Sequence, residues 1–228
     1  MTRVIPVLVA VSAVGVAVAC WIHFRAPSTP SPEAPARATT GYDQARADAA
    51  RLPVKGWDRE TDFRRSAFGE SWSDDVDVEF GHNGCNTRDD VLRRDLVDLV
   101  VRPGTCYAQR GTLHDPYGGG AIAFSRGPAT SDAVQIDHLV SLSDAWYKGA
   151  REWTDQRRRD FANDPRNLLA VDGKANFDKA FRDAASWLPP NAAFRCEFVA
   201  RQVEVKTSYG LWVSAKEQNA ITDVLADC

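Results

Sequence analysis

The chain has 228 residues, 44% of them hydrophobic and 26% charged, with a formal net charge of −3. That content belongs to a globular protein, and the length holds one ordinary domain plus extensions. A bulk basic signature is absent, so a polyanionic partner would have to be met by a local patch. Charge is uneven in a way that allows this. Asp58 to Asp98 carries twelve acids against six bases, whereas Lys148 to Arg182 carries nine bases against six acids.

In chain order, Arg3 precedes an almost wholly apolar run, Val4 to Ile22. Ala17-Val18-Ala19 then has the small-x-small pattern of a signal-peptidase site. Two other readings of residues 1–25 stay open. Cys20 could be the acceptor of a lipoprotein signal, or the run could remain as a membrane anchor, since ~20 apolar residues are enough to span a bilayer. All three send the remainder out of the cytoplasm, so the expected location is secreted or extracytoplasmic. Pro27, Pro30, Pro32 and Pro35 among Ala, Ser and Thr describe an extended spacer over 26–51, and the folded domain is expected over 52–228.

Within that domain, Val91, Leu92, Leu96, Leu99 and Val100 recur at helical spacing and predict a helix over Asp89 to Val101, capped by Asn86 or Thr87. Pro103-Gly104 breaks it, and an extended stretch begins at Cys106-Tyr107-Ala108. A turn at Asp115 to Gly120 leads into a strand over Ala121 to Phe124, and the next strand runs from Ala133 to Val140. Ser143 caps a helix from Asp144 that breaks at Gly149, and Thr154 caps another that ends before Asp164-Pro165. Asn167 to Val171 is a short strand, Asp172-Gly173 a turn, and Asn176 to Leu188 a helix stopped by Pro189-Pro190. Two more helices follow over Asn191 to Thr207 and Ser214 to Ala226, the second opened by the capping-box spacing Ser214-Ala215-Lys216-Glu217.

Setting Cys20 aside, Cys85, Cys106, Cys196 and Cys228 fit an exported, disulfide-bonded domain. Four cysteines allow three pairings; local closure suggests Cys85 with Cys106 and Cys196 with Cys228. A structural zinc site is the rival reading, but there is no Cys-x-x-Cys and only His82 is near. His82 and His114 sit in turns and read as exposed loop residues. The acidic run Asp74 to Glu79 lacks the Gly and terminal Glu of an EF-hand loop and reads as a solvated edge. The tryptophans read as core anchors, with no aromatic spacing that argues for a base-stacking platform.

The residues that carry chemistry are Asp137-His138, at the end of the apolar stretch Val134 to Val140, and Asn167, Asn176 and Lys179 beyond them. Phosphodiester hydrolysis needs an activated water, charge neutralisation at the phosphate and help for the departing oxygen. An imidazole with a pKa near ~6.5 accepts a proton at physiological pH, which suits His138 to the first task. Asp137 offers a hard carboxylate oxygen for a cation and Asn176 a neutral amide oxygen from the following helix. One geometric difficulty stands: neighbours in a regular strand point to opposite faces, so Asp137 and His138 share a site only if the strand ends or bends there.

This constellation resembles the HNH (ββα-metal) endonucleases. It is closest to an exported actinobacterial branch related to the C-terminal domain of GmrSD restriction endonucleases. Gly84 to Leu92, Asp115-Pro116-Tyr117, Asp144-Ala145-Trp146 and Trp187 to Pro190 extend the resemblance over roughly Asp62 to Cys228. The resemblance implies an α+β fold: a ββα-metal (HNH/His-Me finger) core at about 133–188 with an enlarged helical insertion, additional helices and disulfide staples. It implies His138 as general base, Asp137 and Asn176 as ligands of one divalent metal ion (Mg2+ or Mn2+), and Asn167 as the residue that braces the loop and orients the histidine. Arg88 and Lys179 are candidate phosphate contacts, against the plainer reading of a helix ion pair for Arg88 and a solvated lysine for Lys179. Asn at the last HNH position, where the family more often has His, leaves a softer metal open. The expected function is an exported, metal-dependent endonuclease acting as a monomer on DNA, with RNA as a second substrate class. The alternative is a non-catalytic extracytoplasmic binding or surface protein that keeps the fold.

Overall fold

The computed structural model describes residues 41–128 and 130–228. The signal or anchor segment over 1–25, and the spacer as far as residue 40, lie outside the described residues. Among the described residues no helix is long and apolar enough to cross a membrane. The fold is mixed α+β, with small antiparallel sheets and two disulfides.

Among the described residues the first element is helix α1 (Asp43–Ala49), which falls within the stretch expected to be spacer. Ala49 and Leu52 are buried in one apolar cluster with Phe198, Val203, Ile221 and Leu225. Helix α2 (Thr87–Asp95) is capped by the Asn86 side chain, which accepts from the Asp89 amide. The helix predicted to run on to Val101 stops at Asp95, and Leu96–Val101 is strand β1. Its spacing suits a helix, yet Val97, Val100 and Val101 are β-branched. Pairing with β2 (Ala108–His114), a contact the local pattern does not report, decides the outcome. Strand β3 (Ala121–Ser125) completes a three-stranded antiparallel sheet in the order β1-β2-β3.

Strand β4 (Val134–His138) pairs antiparallel with β5 (Leu168–Asp172), from Val134 opposite Asp172 to His138 opposite Leu168. Between them lie helices α3 (Leu142–Tyr147) and α4 (Asp155–Asn163). Thr154 caps α4 as expected, whereas Ser141 rather than Ser143 caps α3. Helix α5 (Gly173–Lys179) starts directly after β5 and contacts both strands of the ribbon. It begins three residues earlier than predicted because Asp172 is its cap, accepting from the Ala175 amide. It ends at Lys179, well short of Leu188, because Ala180 turns the chain with φ +51°. Gly173 is required: a Cβ there would lie 2.0 Å from the Asp132 carbonyl oxygen. Helices α6 (Arg195–Tyr209) and α7 (Ala215–Ala226) follow, the second capped by Ser214.

The ribbon separates two apolar clusters. Val134, Ile136, Leu168 and Ala170 face Val91, Leu92, Leu113 and Phe124, while Leu169 and Val171 face Tyr117, Phe194 and Phe198. Burial on both faces explains why β5 reads as an unbroken apolar run. A third cluster under α3 and α4 gathers Phe68, Trp146, Phe161 and Tyr209.

Cys85 bonds to Cys106, and Cys196 bonds to Cys228 across a separation of 32 residues. The second bridge ties the start of α6 to Cys228, two residues past the end of α7. A Cys196→Ser/Cys228→Ser variant is expected to lose about 2–4 kcal/mol of stability, because the unfolded chain regains the entropy of an open loop. Urea midpoints of oxidised wild type and the variant check this; coincident curves would show that the staple adds nothing.

Candidate active site

Asp137 lies on the ribbon face that looks toward α5. The residue is 5% exposed, and its carboxylate accepts from the Tyr117 hydroxyl at 2.5 Å and from Lys179 Nζ at 3.0 Å. Lys179 is fully buried and also donates to the His138 carbonyl at 2.8 Å. Burial pushes the Asp137 carboxyl above the usual carboxylate range, against the opposing pull of Lys179 and the Tyr117 hydrogen bond. Burial, with the Asp137 charge beside it, likewise raises the Tyr117 phenol. Two residues back on the same face, Gln135 Oε1 accepts from Asn176 Nδ2 at 2.8 Å. Strand positions 135 and 137 are thus matched by helix positions 176 and 179, the period of two meeting the period of one helical turn.

His138 leaves on the other face. Its Nε2 lies 2.8 Å from the Ala162 carbonyl oxygen at the end of α4. A carbonyl only accepts, so Nε2 carries the hydrogen and the neutral ring keeps its lone pair at Nδ1. The ring stacks on Trp72, with centroids 6.0 Å apart and planes 12° from parallel. Trp72 has φ +62°, a left-handed backbone rare for a bulky residue and of the kind found at functional sites. Burial lowers the His138 pKa to about 4; the Ala162 hydrogen bond works the other way, and the positive charges of Arg65 and Lys179 add to the lowering. The imidazole is therefore neutral at physiological pH.

Asn167 is fully buried and clamps the segment just past His138. Its Oδ1 accepts from the Val140 amide at 2.8 Å, its Nδ2 donates to the Val140 carbonyl at 3.1 Å, and its own carbonyl accepts from the Leu139 amide. Arg94 holds the same neck by donating to the carbonyls of Pro165 and Leu168.

Asp137, Asn176 and Lys179 are thus together at the β4–α5 interface, with Asn167 behind the strand end and the His138 ring turned away from them. Arg88 donates to the Val134 carbonyl, at the opposite end of β4 from His138. Lys179 is committed to Asp137 and to the His138 carbonyl rather than presented to solvent. Tyr117, Trp72, Arg65 and Ala162 complete the surroundings. Only Tyr117 stood in a segment the sequence singled out, and nothing there marked its hydroxyl.

A carboxylate and an amide oxygen are donor types that suit a hard divalent cation, but here the Asp137 carboxylate is engaged by Tyr117 and Lys179 while Asn176 bonds Gln135. The ammonium of Lys179, held by the Asp137 carboxylate and the His138 carbonyl oxygen, already supplies the positive charge at this corner. A second acidic group, Asp144, Asp183 and Glu217, has ligand atoms within 4.8 Å of one another. It already carries its own cations, Lys148 and Lys206, at 2.5–2.9 Å. Burial opposes ionisation of Asp144, but Lys206 and Lys148 outweigh it and hold the carboxyl below its ordinary value.

A nuclease-family domain is the class that this strand–strand–helix unit, with its Asp-His pair and two asparagines, points to, and comparison with known proteins gives the family. Residues 86–224 match the C-terminal domain of GmrSD restriction endonucleases, and the chain belongs to that family. The matched stretch contains Asp137, His138, Asn167 and Asn176 but not Arg65 or Trp72. The chain is also similar to a protein of Arthroderma benhamiae described as an uncharacterized secreted protein. That relative is 40% identical over 146 residues, which cover 63% of this chain and 68% of the relative. No solved structure matches. A secreted relative and two disulfides agree with an extracytoplasmic location.

Two outcomes follow from this geometry. Lys179→Met alone strands a buried carboxylate and is expected to cost about 3–5 kcal/mol, while adding Asp137→Asn returns part of the loss. A double-mutant cycle on urea unfolding reads the coupling, and simple additivity would show that the pair does not act as one. For His138 the folded pKa of about 4 lies below the unfolded value, so the unfolded chain takes the proton first. Its contribution to stability is full above about pH 6.5 and is lost as pH falls toward the folded value. His138→Gln is expected to flatten stability between pH 7 and 5, measured by urea midpoints at each pH.

Proposed function

We propose that this domain is an extracytoplasmic, metal-dependent endonuclease of the HNH (ββα-metal) type that hydrolyses phosphodiester bonds of DNA, with RNA as a second substrate class. In this reading β4, β5 and α5 are the ββα core, and α3 with α4 are its enlarged insertion. The observation that carries it is the state of His138, a neutral imidazole whose Nε2 hydrogen is held by the Ala162 carbonyl, leaving Nδ1 to take a proton. His138 Nδ1 accepts the proton of the attacking water. Asn167 fixes the backbone after His138 so that the ring keeps its aim. Asp137 and Asn176 would hold the divalent ion, which when bound supplies positive charge to the phosphate and the departing oxygen. Because the two side chains leave β4 on different faces, the phosphate lies across the strand end, where those faces meet. Lys179 orients the Asp137 carboxylate and the His138 peptide together.

Closure of Asp137 beneath Tyr117 and Lys179 favours the rival, a binding protein that has kept the fold. The full-length oxidised protein, incubated with supercoiled plasmid and Mg2+ or Mn2+ with and without chelator, separates the two. Metal-dependent nicking is expected, with His138→Ala lowering the rate about 10²–10⁴-fold. Because His138 stays neutral well below pH 7, the rate is expected not to fall between pH 8 and about 5.5 on its account. Cleavage by His138→Ala as fast as wild type, or none with either metal, would sink the nuclease reading.

A further inference from the structure

Helix α5 turns Asn176 and Lys179 inward and leaves two phenylalanines outside. Phe177 is 81% exposed and Phe181 60% exposed, more than any other large apolar side chain among the described residues. Phenylalanine gains substantially from burial, so two of them exposed to bulk water, one on α5 and one just past its end, are an unfavourable surface without a partner. Their placement is actively held. Ala180 takes φ +51° and ψ −123°, a conformation that L residues avoid, and Phe181 emerges from that turn with its carbonyl accepting from the Ser141 hydroxyl. Cations flank the pair: Lys174 bonds the Asp178 carboxylate at 2.6 Å, and the Arg182 guanidinium donates to the Asp178 carbonyl. Phe177 directly follows Asn176, so one of the two rings stands on the helix that carries a residue of the proposed site.

We propose that Phe177 and Phe181 are a base-stacking pair that seats unpaired nucleobases beside the strand end of β4, so that the preferred substrate is single-stranded or locally unpaired nucleic acid. The identity of the ligand rests on the nuclease reading above. Every nucleobase offers a π-face to a phenyl ring, and a duplex hides those faces within its own stack. Lys174 and Arg182, exposed and close to the rings in sequence, offer positive charge to a phosphodiester backbone. A second copy of the chain or a lipid surface would also cover apolar rings, but neither accounts for their adjacency to Asn176.

The test is a binding measurement that needs no cleavage. Full-length His138→Ala protein in chelator is titrated into a labelled mixed-sequence oligonucleotide, single-stranded and as the matching duplex, and read by anisotropy. Tighter single-strand binding is expected. Phe177→Ala and Phe181→Ala should each weaken it about 5- to 100-fold, with the duplex and the salt dependence little changed. Phe177→Trp should keep the affinity and be quenched when the oligonucleotide binds, whereas Val54→Ala, on another surface, should change nothing. Equal affinity for both forms, or alanine variants within twofold of the parent, would overturn the proposal. So would phenylalanine variants that lose self-association by sedimentation, or vesicle binding, while holding the oligonucleotide as before. If quenching and single-strand preference persist in a protein that cleaves nothing, the nuclease reading fails and the stacking pair stands. Metal-dependent cleavage indifferent to both phenylalanines gives the reverse.

Discussion

Everything at the strand end depends on the β4–β5 ribbon being buried on both faces. Each face is committed to its own apolar cluster, one shared with α2 and the three-stranded sheet, the other with Tyr117, Phe194 and Phe198. Register is therefore rigid, since a slip of one residue would exchange the two faces and drive Asp137 into the α2 cluster. The same alternation sends adjacent Asp137 and His138 in opposite directions. Two chemical environments are thus built from one dipeptide: a carboxylate satisfied by a phenol and an ammonium, and an imidazole pressed between an indole and a helix-end carbonyl.

The carboxylate side shows why a buried charge is tolerated. Asp137 stays engaged because Tyr117 and Lys179 both reach it, and Lys179 extends that hold to the His138 peptide. A similar solution recurs nearby at larger scale. Asp144, Asp183 and Glu217 enclose Lys148 and Lys206 between α3, α6, α7 and the segment after α5, all of them buried. Such groups contribute little net stability, but removing any one member leaves its partners uncompensated. Their effect is on geometry: Asp183 lies four residues beyond Lys179, so the chain leaving α5 is tied to α3 and α7 by charge.

How far the sequence alone could reach follows from which interactions are local. Caps at Asn86, Thr154 and Ser214 are legible because the side chain bonds a backbone group three residues on. The cysteine pairing suggested by local closure is the one present. The end of α2 was not legible, because Leu96–Val101 becomes a strand only by meeting β2. Asp172-Gly173 read as a turn because turn and helix-cap chemistry use the same residues. Glu217 has capping-box spacing, yet its carboxylate goes to Lys148 and Lys206, partners far away in sequence. At the site, the residue types were visible in the string, whereas the opposing faces, the Tyr117 hydroxyl and the outward phenylalanines are facts of packing.

The segment separating the two strands is more than a detour. It leaves β4 at His138, builds α3 and α4, and returns at Asn167, whose side chain bonds both backbone polar groups of Val140. The insertion is thereby closed at its neck by the residue that ends it. At the far end of α4 it returns the Ala162 carbonyl to His138 Nε2, fixing which ring nitrogen carries the hydrogen. A shorter turn between the strands could pair β4 with β5 equally well, but it would supply no acceptor on that face. From the stretch before α2, Trp72 stacks on the same ring and the positive charge of Arg65 acts on it. The environment of His138 is therefore assembled from three separate stretches of chain, and one of them lies outside the part that the family shares.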